Sequence, residues 1–200
     1  MVPWSASEKQ REQYVDNILT VWQCATSEQE QRGRSWYRIA NELARVITGG
    51  DARAGAGVLA ALSANKSWPQ TCRLARQACE TGLTSGHFGD ALAKATVIAA
   101  GTDPAKVLPM DRKTGHFFRC IADPGDTDAV VIDRHAHDIA VGDIYGRRDR
   151  GLSGQRYELL AAAYREAAQR LGELPSTVQA VTWVVHTDRI AGTGTRPPRT

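Results

Sequence analysis

Apolar residues recur at helical spacing along most of the chain. Across residues 5–23, Tyr14, Ile18, Leu19 and Trp22 share one face and predict a helix. A second helix is expected over 27–46, with Trp36, Ile39, Ala40, Leu43 and Ile47 on its apolar side. Ser27 followed by Glu30 reads as its capping box, and Gly49-Gly50 as its end. Residues 54–63 (AGAGVLAALS) read as a helix of small side chains that packs closely on its neighbours. Helices follow over 68–81, with Pro69 in the first turn, and over 88–99, ended by Gly101. Asp103 caps a short helix over 104–108, and a Pro109-Met110-Asp111 turn leads into a helix over 112–121. The Pro-Gly pair makes 122–127 a loop, and 129–132 is a short extended or buried apolar run. Asp133 is placed to cap a helix reaching Val141, and two more helices are expected over 155–171 and 176–187. The charged, Gly-rich stretch 142–154 reads as a mobile loop, and 191–200 as a disordered tail. Strand-like alternation is nearly absent, so the expected class is all-α.

Composition narrows the picture modestly. At 200 residues, the chain suits one fold, here a single domain over 1–190. A hydrophobic fraction of 42% is enough for a packed core and excludes wholesale disorder. The net charge of +3 permits nucleic-acid binding without arguing for it, because the local patch matters more than the total. No apolar run has the length of a membrane span, and the first eight residues lack a signal-peptide core. Cys24, Cys72, Cys79 and Cys120 form no CxxC pair, which fits reduced thiols in a cytoplasmic protein and no metal centre.

The stretch 107–142, VLPMDRKTGHFFRCIADPGDTDAVVIDRHAHDIAVG, holds an ordered set of short motifs: Leu108-Pro109, Lys113-Thr114, Val130-Val131-Ile132 and Asp133-Arg134-His135. Upstream, 59–65 (LAALSAN) is an apolar helix ending in Leu-Ser-Ala plus an amide residue. Together they resemble the core signature of endonuclease III-like DNA glycosylases, the HhH-GPD (helix-hairpin-helix) superfamily, over roughly residues 55–142. The resemblance implies two helical lobes, one inserted over about 51–132 and the other built from about 1–50 plus 133–190. It implies a cleft between them that holds Lys113 and Asp133. The activity implied is that of a DNA glycosylase, with lyase chemistry where Lys113 supplies the nucleophile.

The chemistry agrees with those residue types. A glycosylase/lyase needs a neutral amine to attack the sugar C1′, and Lys113 lies in a helix's first turn, where the dipole disfavours its charge. The sugar becomes cationic as the base departs, and a carboxylate such as Asp133 opposes that charge or carries protons. Asn65, Lys66, Trp68, Arg112, His116, Arg134 and His135 are the candidate substrate- or DNA-contacting residues, with Trp68, Phe117 and Phe118 as rings able to stack on an extruded base. Arg147, Arg148 and Arg150 are candidate phosphate contacts. His135 and His137 alternate rather than falling at i, i+4, so a metal pair is not expected, and no cofactor is. The partner expected is DNA or a nucleotide, bound by a monomer. Met110-Asp111 stands where the family has a glycine hairpin that holds a DNA phosphate, so weak duplex binding is expected, and no four-cysteine run for an iron–sulfur cluster is present. Two alternatives share the scaffold: an enzyme of base hypermodification, and a non-catalytic DNA- or protein-binding module.

Overall fold

The structure, a computed structural model, describes residues 6–82, 85–142, 152 and 154–192. Those residues form ten helices and no strand. In chain order they are α1 (Glu8–Gln23), α2 (Ser27–Ile47), α3 (Ala52–Ala61), α4 (Trp68–Thr81), α5 (Gly89–Ala99), α6 (Pro104–Val107), α7 (Lys113–Ala122), α8 (Arg134–Val141), α9 (Gly154–Leu171) and α10 (Pro175–Gly192). The expected all-α class is observed.

Local chemistry sets the helix ends. Ser7 and Gln10 close a capping box before α1, and Ser67 and Gln70 do the same before α4. Asp51, Asp103 and Asp133 each accept a backbone N–H from the first turn that follows. The cap of α2 departs from expectation: the box is Thr26 with Gln29, not Ser27 with Glu30. Thr26 N–H donates to Gln29 Oε1 at 3.0 Å, and Gln29 N–H donates to Thr26 Oγ1 at 3.2 Å. Glu30 is instead drawn to Arg34 one turn on. Two overlapping box patterns sit one residue apart here, and the earlier one forms.

The chain divides into two compact units, Met1–Trp36 with Val130–Thr200, and Tyr37–Ala129. The division falls inside α2, whereas the resemblance implied an inserted lobe over about 51–132. Close backbone approaches explain it. Towards its start, α2 meets α10 at Gly33, where a Cβ would lie 2.5 Å from Val181 Cα. Towards its end it meets α3 at Gly55, where a Cβ would lie 2.1 Å from the Ala44 carbonyl oxygen. A side chain at either glycine would force the helices apart.

In the first unit, α1 packs on α8, α9 and α10. Its core contains Tyr14, Val15, Ile18, Ile139, Leu160, Tyr164 and Val178. In the second unit α3 is central: Gly55 through Leu62 are all buried, and the helix touches α4, α5, α6 and α7. The small side chains of α3 are what admit so many neighbours, as its composition predicts. The stretches 143–150 and 193–200, which include Arg147, Arg148, Arg150 and most of the expected tail, lie outside the described residues.

Candidate active site

Asp133 sits at the end of an anchored run. Val130 and Ile132 are buried, and Tyr157 from α9 ties their backbone: its hydroxyl donates to Val130 O at 2.9 Å and accepts from Ile132 N–H at 3.1 Å. Tyr157 thereby satisfies one carbonyl and one N–H of the run without a strand partner. Asp133 Oδ1 then accepts Ala136 N–H at 2.8 Å, capping α8. Its other oxygen, Oδ2, accepts the indole Nε1–H of Trp183 from α10 at 3.1 Å. Tyr164 braces the same turn, donating to Ala136 O at 3.1 Å. The carboxylate is thus held by donors from two helices, with about half of its acceptor positions still open.

Two histidines complete the cluster. The His135 ring meets Trp183 edge-on with centroids 5.7 Å apart, and meets His186 with centroids 5.5 Å apart. Arg134 lies 3.2 Å from His135 Nε2; with the guanidinium as donor, the imidazole proton resides on Nδ1. His135 Nδ1 and His186 Nε2 are buried and have no hydrogen-bond partner among the described residues. Burial pushes both histidines below the usual imidazole range, against the opposing pull of Asp133 and Asp138. Both rings are therefore neutral at pH 7. Two residues beyond His135 on α8, buried His137 lies with its Nδ1 3.2 Å from Asp138 Oδ1. No group of three or more histidine, cysteine, aspartate or glutamate side chains able to hold a metal ion occurs among the described residues.

The remaining candidates lie in the second unit. Lys113 is exposed at the first position of α7, and Arg112 occupies the N-cap without a side-chain cap bond. The turn before it is held by Arg112 N–H donating to Pro109 O at 3.1 Å, while Asp111 pairs with Arg112 at 3.5 Å. Gly115 fixes that turn against α7, because a Cβ there would lie 2.3 Å from Met110 Cα. At the other end of α7, Asn41 from α2 donates to Ile121 O at 2.8 Å, and Arg119 grips Asp126 and Asp128 in the following loop.

Several expectations change here. His116 shares the helix with Lys113 but is 6% exposed, so it belongs to the unit's interior and not to an open surface. Phe118, 1% exposed, cannot stack on a base; it lies under the Arg53 guanidinium. Phe117 is half-buried in edge contacts with Tyr37 and Trp68. Lys66 donates to Gly86 O at 2.9 Å, using one of the three donors of its ammonium. Asn65 is exposed in the turn between α3 and α4, with φ +57°, the one positive φ outside glycine among the described residues.

Trp183 and His186 were not anticipated from the sequence, yet a signal exists. Gln179, Trp183 and His186 fall at i, i+4 and i+7 on a helix that is largely buried between Val178 and Val185, so a stripe of hydrogen-bonding groups runs along one face of α10. Such a stripe on a buried helix marks a place where polar partners wait on a neighbouring element.

The fold and cluster define an all-helical protein with a doubly anchored carboxylate beside two neutral histidines. A family of unknown function (DUF7178) matches residues 1–190, and the chain belongs to that family. No curated protein and no solved structure matches it.

Proposed function

We propose that the protein is a DNA glycosylase of the helix-hairpin-helix kind, in which α6, the 108–112 turn and α7 form the hairpin pair. The observation that carries the reading is the state of Asp133. Each of its two oxygens accepts a hydrogen bond from a neutral N–H donor, one from α8 and one from α10, so the carboxylate is fixed in place. A fixed anion of that kind suits a reaction whose transition state places positive charge on a sugar. The adjoining imidazoles, neutral by burial, add no charge to compete with it.

In this reading, the bond from C1′ to the base nitrogen breaks with its electron pair leaving on the base. The oxocarbenium-like sugar is opposed by Asp133. Lys113, in its neutral form, adds through Nζ to C1′; loss of a proton from that nitrogen and opening of the sugar ring give the Schiff base. Asn65 is the residue for contacting DNA from the α3–α4 turn. It is exposed there, with a φ of +57° that asparagine adopts more readily than most side chains.

The test is borohydride trapping and base release with the full chain on single-stranded and duplex oligonucleotides carrying normal bases, thymine glycol, 8-oxoguanine or 5-hydroxymethyluracil. A covalent adduct is expected with one of them, lost in Lys113→Gln, and base release is expected to fall at least a hundredfold in Asp133→Asn. Release retained in Lys113→Gln without an adduct makes water the nucleophile. Full activity of Asp133→Asn on a substrate the wild type processes removes the mechanism.

A further inference from the structure

We infer that Trp183 is the positioning residue for Asp133, holding the plane of its carboxylate through the indole N–H. This rests on the base-excision reading and adds to it a residue that the local sequence around Asp133 does not contain. An N-cap bond alone ties one oxygen: Ala136 N–H at 2.8 Å fixes Oδ1 and leaves the group free to turn about the bond that carries it. The second bond, from Trp183 Nε1–H at 3.1 Å, removes that freedom. The two bonds reach the carboxylate from different helices, α8 and α10. The open lone pairs therefore point in one fixed direction set by the packing of those helices.

Trp183 is itself held. Its ring is half-buried against His135, and it follows buried Thr182 on a helix whose next two residues, Val184 and Val185, are also buried. An indole suits this position for a chemical reason: its N–H is far too weak an acid to protonate a carboxylate, and it has no acceptor with which to turn round and compete for a donor. A serine in its place could turn its oxygen to accept, and a protonated histidine could give the carboxylate its proton. Preorganisation of the charge that meets a cationic transition state is an effect on the chemical step, not on binding.

The test pairs Trp183→Phe with site-specific 3-benzothienylalanine at position 183, which keeps the indole's shape and replaces its N–H by sulfur, so that one of the two retains the packing whatever happens to the other. On the oligonucleotide that the wild type processes, both are expected to lower kcat by on the order of ten- to a hundredfold with KM nearly unchanged. In an Asp133→Asn background, neither replacement is expected to lower kcat further, because the partner charge is already gone. In the wild type, the Trp183 indole proton resonance is expected to move when Asp133 is changed to Asn. Unchanged kcat in both replacements, a loss that persists in full on the Asp133→Asn background, or an indole resonance insensitive to Asp133 overturns the inference and leaves the excision reading standing. A wild type that releases no base from any oligonucleotide overturns that reading and this inference with it.

Discussion

One methyl group measures how firmly the turn before α7 is held. At Gly115 an added Cβ would meet Met110 Cα at 2.3 Å and Pro109 O at 2.5 Å. Both are backbone atoms, so no side-chain rotation relieves the clash and either the turn or the helix must move. Gly115→Ala is expected to destabilise the protein by about 1–3 kcal/mol, towards the upper end, as a lower denaturation midpoint at unchanged slope. A midpoint equal to wild type would mean that the turn yields freely. The same residue shows what a sequence discloses and what it does not. Lys113-Thr114 marks the start of a helix by its place after a Pro109 turn, and Asp133 announces a cap by its place before an apolar helical pattern. Gly115 looks like any helical glycine until the chain that passes over it is known. Trp183, fifty residues from the carboxylate it serves, lies beyond any local pattern.

Among the elements, α8 and α10 meet through groups that titrate near neutrality. Burial lowers the folded-state affinity of His135 and His186 for protons. The unfolded chain binds protons at about the ordinary imidazole value of 6.5. The stability these residues contribute is therefore fully present above that value and declines as pH falls through the depressed folded range. The midpoint of urea denaturation is expected to fall between pH 7 and pH 5, with a shallower fall in His186→Leu. A midpoint that is level or rises over this interval contradicts the account. Asp126 acts in the same sense at lower pH. Burial works against its charge, but Arg119 and the N–H groups of Ala129 and Asp128 outweigh it and hold the carboxyl below its usual range. The helices themselves were legible because their boundaries are written in short-range chemistry: Pro69 in the first turn of α4, Asp103 before Pro104, Gly142 after Val141. The slip at α2 shows the limit of that legibility, since Thr26-x-x-Gln29 and Ser27-x-x-Glu30 are equally good boxes on paper. Gly49-Gly50 ends a helix, as its sequence announces, whereas the close approaches at Gly33 and Gly55 depend on helices far along the chain.

Across the whole molecule, burial is distributed around two centres. In the second unit it is α3, whose residues from Gly55 to Leu62 are all buried and which touches four other helices. In the first it is the middle of α9, where Leu160, Ala161 and Tyr164 are fully enclosed. Amide hydrogen exchange is expected to be slowest in these two segments and fastest at the outer turns of α4. Exchange in α3 as fast as in α4 would show that the second unit lacks the centre its packing describes. The order of the chain adds a consequence in time. The first unit is made of two separated stretches, and the whole of the second lies between them. During synthesis the roughly ninety residues of the second unit must therefore be made before α8 begins, and at about 5–20 residues per second this takes on the order of 5–20 s. Through that interval Tyr14, Val15 and Ile18 of α1 have no native partners, and at its end α3 and its neighbours are complete while α8 to α10 are still to come. The nascent chain thus carries a finished unit behind an amphipathic helix still waiting for its own, and that helix offers an apolar face to a ribosome-associated chaperone.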